Sequence, residues 1–450
     1  MKNKIFLTGF SYDSLIPDEA PAIPILLKVL EVVQSIYDKQ LDLRYPGSNL
    51  YPHDVTIEEF YDAMKYDTKV NDPTTVVVRD GARLRSLPYN EVYCHEINDI
   101  VALLKNASEI IPKGRFREYL LIRACDLKKN SYKQGDCLWL DLNKNDTFLD
   151  LILGPFEVYI DRFMGLKTAF EGTLSVRDLE MQEQLMFLLS YTDLFFNNVP
   201  KVATYQDYAN SLTRLEVMNV IAFSGHSALH KMNAKVLPND PELIISKGTK
   251  KILFKNIMEM RFNQIIIPIV KKLFKNFPSD ELIKEGYFNF ILLHEIAHPM
   301  GIAENPSNLG EMTTGIEEAK AHMLGVYFAR LLLEYKVLTV DRYNALLTGL
   351  VAYLVADIRL GLHLPTKKPY KDASFIILNE LMRTDQIKFD NNDFYIGSND
   401  TSLLRDSVQN ILYLRNCSNS ITCKNKIEEY QITCLPYLSK PMDEIPLNIE

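Results

Sequence analysis

The segment Ile291-Leu-Leu-His-Glu-Ile-Ala-His298 constrains this chain more than any other. With Tyr287, Phe288 and Phe290 before it, almost no polar face remains ahead of the histidines, so the run predicts a buried helix. On a helix, residues four apart lie on one side, about 6 Å apart along the axis. His294 and His298 therefore face the same way and can share one ion, while Glu295 stands beside the first histidine without being a ligand itself. This is the H-E-x-x-H zinc pattern, in which the carboxylate takes a proton from metal-bound water. The plain alternative is a helix end with two hydrogen-bonded histidines. Against it, two histidines leaving so apolar a helix are costly to bury without partners.

A third ligand is available downstream, in Ile316-Glu-Glu-Ala-Lys-Ala-His322. Glu317 and Glu318 open a second predicted helix that runs through Met323, Leu324, Val326, Tyr327, Leu331 and Leu332. One carboxylate completes two histidines plus one glutamate, leaving the fourth zinc position for water. Ala321 and Gly325 are small enough to let two helices approach closely. Read alone, the acidic pair is an ordinary helix N-terminus favoured by the macrodipole. Read with the histidines, it makes a zinc hydrolase the leading reading.

The rest of the chain bounds that reading. Its 450 residues fit two or three domains, or one large two-lobed body. With 47% hydrophobic and 24% charged residues it can bury a sizeable core. A net charge of −8, a pI near 5.6 and no long basic stripe argue against nucleic acid as a partner. The N-terminal apolar run is too short for a signal peptide, and no run of 18 apolar residues suggests a membrane span. Cys94, Cys125, Cys137, Cys417, Cys423 and Cys434 read as scattered free thiols, which fits a reducing cytoplasm.

Residues 20–45 predict a helix, with Ile25, Leu26, Val29, Leu30, Val33 and Ile36 on one stripe. Residues 74–88 predict a β-hairpin with Asp80-Gly81 as its turn. Helical patterns follow at 91–112, 116–129 and 178–196, with an irregular or extended passage at 141–160. From about 250 to 358 the chain reads as nearly all helix, and the last 60 residues as mixed and polar, with no chemistry to be read in them. There is no internal repeat, low-complexity tract or Gly/Ser linker.

Five stretches in order along the chain resemble the dipeptidyl peptidase III family of zinc metallopeptidases, in its bacterial form with the five-residue H-E-x-x-H. They are Trp139-Leu-Asp-Leu-Asn143; Gly154-Pro-Phe-Glu-Val-Tyr159 with Gly165-Leu-Lys-Thr-Ala-Phe-Glu171; Leu237-Pro-Asn-Asp240 with Lys247-Gly-Thr-Lys-Lys251; the histidine helix; and Glu317-Glu-Ala-Lys-Ala321. The resemblance implies a mainly helical α+β fold of two lobes around a wide cleft. It places a mixed α/β lower lobe at 1–175, with 215–245 contributing. A helical zinc-bearing upper lobe follows at 176–430, then a tail at 431–450. It implies one zinc per chain, on His294, His298 and Glu318, with Glu295 as general base. Glu317 would fix a zinc histidine by a hydrogen bond. Glu157 and Asn239 would hold the free amino terminus of a short peptide, and Tyr159 would help polarise the scissile carbonyl.

The chain departs from the family in several places. Val236 stands where a second asparagine is usual. His322 stands where an acid normally supports a zinc histidine, so it either supports that histidine less well or approaches the metal itself. Pro299 follows the second histidine directly and should end the helix there. A histidine expected after Ile358-Arg-Leu-Gly361 has no match: His363 is out of register and Tyr370 occupies its place. The expectation is release of dipeptides from the N-terminus of short peptides. The alternatives are a zinc hydrolase of different register on the same scaffold, and a non-catalytic peptide-binding relative. Oligomeric state is left open.

Overall fold

The computed structural model describes residues 4–12, 16–200, 214–301, 309–391, 393–397, 401–416, 420–434 and 442–449, except the side chains of 311, 420, 423 and 431–434. Cys94, Cys125 and Cys137 are free thiols. The thiols of Cys417, Cys423 and Cys434 lie outside the described residues.

The strands are β1 (Phe6–Leu7), β2 (Thr75–Asp80), β3 (Arg83–Pro88), β4 (Leu149–Glu157), β5 (Ala169–Arg177), β6 (Arg214–Gly225), β7 (Ala234–Leu237), β8 (Lys250–Phe254), β9 (Ile387–Asp390) and β10 (Asp393–Ile396). A six-stranded sheet runs β4-β5-β6-β8-β7, with β1 on β6; only β6 and β8 are parallel. Its long strands β4 and β5 bury almost every residue rather than every second one, as a strand must when both faces are covered. One cover is the helix Ile23–Gln40, which packs on β5 and β6. That helix stops at Gln40, short of the expected end at 45, where Leu41 turns to extended backbone.

The passage at 141–160, expected to be irregular or extended, contains the regular strand β4, and its pairing with β5 shifts between Pro155 and Glu157. Proline has no N–H to give the ladder. The hairpin at 74–88 is present, with β2 and β3 paired from Thr75↔Pro88 to Asp80↔Arg83. Its loop is Gly81-Ala82, one residue beyond the expected turn, and Gly81 supplies a φ of +63° that favours glycine.

By its internal contacts the chain forms two compact units: Met1–Gln182 with Thr213–Ile257, and Glu183–Leu212 with Met258–Glu450. The first holds the large sheet and the β2–β3 hairpin. The second is mainly helical, built on Asp280–Ala297, Thr313–Glu334, Val340–His363, Lys368–Arg383 and Thr401–Asn416, with the small β9–β10 hairpin. The whole is an α+β chain.

Two helical stretches, Ala20–Gln40 and Val340–His363, are long and apolar enough to cross a membrane by length and composition. The criterion of an unbroken apolar run misses both, since each carries scattered polar residues. Val340–His363 is a core helix: 83% of its most apolar window is buried within the protein.

In the second unit, small residues set how closely the central helices pack. A Cβ on Gly286 would meet the backbone of Leu346 at 2.5 Å, so the histidine helix and Val340–His363 touch main chain to main chain. A Cβ on Gly325 would lie 3.2 Å from the backbone N of His294. The helix carrying Glu317 and Glu318 therefore crosses the histidine helix at His294 itself, the approach its small residues predict.

Candidate metal centre

Ser279 caps the histidine helix, its side chain accepting from the N–H of Leu282, and Asp280 and Glu281 favour the first turn. The helix ends at Ala297, as Pro299 demands. A residue before proline is usually driven out of the helical region, yet His298 keeps φ −52° and ψ −47°. It thus stays in phase with His294. Their Nε2 atoms stand 3.1 Å apart.

The second helix begins at Thr313, so Glu317 and Glu318 lie in its second turn rather than at its tip. That weakens the macrodipole explanation of the pair, which acts over the first turn. Glu318 Oε2 lies 3.4 Å from His294 Nε2. Glu295 lies beside both histidines, with its two carboxylate oxygens 4.0 Å from His294 Nε2 and His298 Nε2 respectively. Two sets of three donors lie within 4.8 Å of one another, and both pass through His294: with Glu295 and His298, and with Glu318 and His322.

These distances test whether the residues suit a metal. Zinc bonds of about 2.0–2.1 Å in tetrahedral geometry put neighbouring donors about 3.3 Å apart. The 3.1 Å and 3.4 Å separations centred on His294 Nε2 fall on either side of that value. The protonation pattern agrees. His298 Nδ1 donates to Glu317 Oε1 at 3.2 Å, which leaves the lone pair of a neutral ring on Nε2, facing His294. The 3.1 Å approach of the two Nε2 atoms is then either a hydrogen bond from His294 or the sharing of one cation. The spacing about His294 suits zinc, while His298 and Glu318 fall in separate donor groups.

Glu317 is held from three sides. Besides His298, Lys320 Nζ approaches Oε1 at 2.8 Å and Arg415 Nε donates to Oε2 at 2.8 Å. Burial would raise this carboxyl, but hydrogen bonds from His298, Lys320 and Arg415 outweigh it and hold the group well below the usual carboxylate range. Lys320, itself fully buried, also donates to the His298 carbonyl at 2.6 Å. Burial lowers its pKa, and Glu317 works against that.

Neither cation was singled out in the sequence. Lys320 had a local signal, three residues from Glu317 on one helix face. Arg415 had none, and it comes from the C-terminal region expected to carry no chemistry, on the helix Thr401–Asn416. His322 is buried against Phe290, Tyr353 and His294, and burial favours its neutral form. His363 is the exposed last residue of its helix, and Lys367 lies over the ring of Tyr370 at 5.1 Å. Burial lowers the pKa of Lys367, while Asp357 and Glu318 raise it against Arg261.

The other expected residues belong to the first unit. Glu157 closes β4 and is half-buried. Burial first, then Glu171, raises its carboxyl, and Lys235 opposes them. Glu171 is fully buried and paired with Lys235, and it accepts from Ser227 at 2.6 Å. Asn239 Nδ2 donates to the Phe156 carbonyl at 2.8 Å, so it sits against the residue before Glu157. Tyr159 lies past the strand end, in a turn. Strand alternation therefore does not relate it to Glu157. It is 59% exposed and stacks on His226, with ring centroids 5.3 Å apart and planes 11° from parallel. Val236 is exposed on β7.

The chain is a mainly helical α+β protein in which an H-E-x-x-H helix and a Glu-Glu helix bring together side chains that could hold a metal ion. No family model matches the chain. A dipeptidyl peptidase III structure from Caldithrix abyssi superposes with a TM-score of 0.87 at 24% identity, over 98% of this chain and 95% of that one. One from Corallococcus sp. strain EGB superposes with a TM-score of 0.75 at 21% identity, over 99% and 94%. The chain thus has the dipeptidyl peptidase III fold, that of the family its motifs resemble. A curated relative, Nudix hydrolase 3 of Arabidopsis thaliana, is 24% identical over 353 residues. The match takes in 70% of this chain but 45% of that protein, so the chain spans under half the length of the relative it matches.

Proposed function

We propose that this chain is a zinc-dependent dipeptidyl peptidase acting on short peptides with a free amino terminus, in the reducing setting its cysteines suit. The observation that carries this is the approach of His298 Nε2 and Glu318 Oε2 to His294 Nε2, with Glu295 4.0 Å from both histidines. His294, His298 and Glu318 would hold one zinc ion, which when bound acidifies water and polarises a carbonyl.

Glu295 accepts the proton of the attacking water and returns it to the leaving amine. Glu317, anchored by Lys320 and Arg415, fixes the His298 ring through Nδ1 and keeps Nε2 available. From the resemblance, Glu157 and Asn239 bind the substrate ammonium and Tyr159 donates its hydroxyl to the oxyanion. The resemblance implies that holding the substrate ammonium selects the second peptide bond for cleavage.

Metal analysis of the purified chain, with mass spectrometry of a peptide pool before and after incubation, tests the reading. One zinc per chain and released dipeptides support it. Zinc and bound peptide with no turnover at high enzyme concentration would replace it with a non-catalytic peptide binder.

A further inference from the structure

Tyr159 stands in a turn and is 59% exposed, so neither strand pairing nor burial fixes its side chain. Among the described residues its ring meets two others, those of His226 and His230. The His226 contact is stacked, with centroids 5.3 Å apart and planes 11° from parallel. The His230 ring is tilted, at 6.4 Å. Stacking of this kind is favourable beyond the area it buries.

His226 is held far more firmly than the tyrosine it carries. It is fully buried at the start of the short helix His226–His230. Gly225 before it has a φ of +60°, and a Cβ there would meet the Phe170 carbonyl at 2.2 Å. The Gly225 N–H donates to Gln34 Oε1 at 2.8 Å. Strand β5 and the helix Ile23–Gln40 thus both grip the backbone that presents the histidine. Tyr37, from the same helix, meets the His226 ring edge-on at 6.2 Å.

We propose that His226 is a positioning residue, its ring being the platform that sets the orientation of Tyr159 toward the substrate. This rests on the reading above that the Tyr159 hydroxyl serves the reaction. An exposed tyrosine with no platform divides its time among staggered χ1 wells. Only one of them presents the hydroxyl to a given atom. Losing the platform therefore lowers the fraction of molecules in working order, an effect on kcat, and leaves zinc and the amino-terminal contacts as they are.

The test joins kinetics on the zinc-loaded chain to fluorine NMR with a fluorinated tyrosine in place of Tyr159. His226→Leu should lower kcat about 3- to 10-fold, with KM and zinc content unchanged. His226→Phe, which restores a flat ring, should recover most of that loss. Combined with Tyr159→Phe, His226→Leu should cost nothing further, because the hydroxyl it orients is gone. An equal cost in both backgrounds would mark a purely structural effect and overturn the proposal. The fluorine signal reads the stack with neither turnover nor a variant that must fold. A wild-type signal with the shift and width of a freely turning ring would overturn it as well. If Tyr159→Phe alone left kcat unchanged, the reading of Tyr159 would fall and this inference with it. A loss with Tyr159→Phe but none with His226→Leu would sink this inference alone.

Discussion

The imidazole of His298 gives its Nδ1 proton to Glu317 at 3.2 Å, and that same carboxylate is held by Lys320 and Arg415 at 2.8 Å each. One acidic side chain thus fixes the orientation of a candidate ligand and neutralises a fully buried lysine. Glu317→Gln should weaken zinc binding about 10- to 100-fold. It should also destabilise the chain by on the order of 3 kcal/mol, because Lys320 loses its counter-charge inside the protein. Chelator competition and urea unfolding check both effects. If neither moved, Glu317 would be a bystander.

Ligand removal is the sharper case. His298→Ala should abolish zinc binding and peptidase activity together, since His298 Nε2 is one of the donors closest to His294. Unchanged metal content in this variant would show that the ion sits elsewhere.

Glu295 stands 4.0 Å from both ring nitrogens, beside the donors rather than among them. Glu295→Gln should keep its zinc and lose about 10²- to 10⁴-fold in kcat, because only proton transfer is removed. Turnover near the wild-type rate would exclude the water-activating role.

Gly325 is the contact that lets the Glu317–Glu318 helix reach His294. Gly325→Val would force atoms into a gap that leaves only 3.2 Å between a new Cβ and the His294 backbone N. The expected cost is about 1–3 kcal/mol, together with weaker zinc binding, because the two donor helices move apart. A valine variant with unchanged melting temperature and metal affinity would contradict this account of the helix crossing.

What could be read in the sequence was local. The histidine pair follows from a four-residue spacing, and the hairpin from Asp80-Gly81 after the β-branched run Thr74-Thr-Val-Val-Val78. The large sheet was not legible in the same way. β5 carries an alternation, Phe170, Leu174 and Val176 against Glu171, Thr173 and Ser175, that marks a strand, whereas Val220-Ile-Ala-Phe223 within β6 is an apolar run that a helix could also contain. The helix Lys133–Asp141 escaped for want of a long enough stripe. Arg415 lies 98 residues from the carboxylate it holds, so no spacing rule could have paired them. Tyr159 shows the converse limit. Counting two residues on from Glu157 presumes extended backbone, and the chain turns there instead.

In the first unit, Glu157→Gln should raise KM and lower kcat/KM by a factor corresponding to about 2 kcal/mol, at the low end for a charged pair because Glu157 is only half-buried. Val236→Asn should lower KM by restoring a polar contact on β7. Steady-state kinetics on one short peptide checks both variants. No change in kcat/KM for Glu157→Gln would remove that residue from substrate binding.

The most direct measurement of the central claim uses two copies of one short peptide, one with a free amino terminus and one acetylated, incubated with the zinc-loaded protein and followed by mass spectrometry. Cleavage at the second bond of the free peptide, lost when a chelator is added, with the acetylated peptide intact, is the predicted result. Cleavage of the acetylated peptide at an equal rate would contradict the dipeptidyl reading and leave a zinc hydrolase of different register in its place.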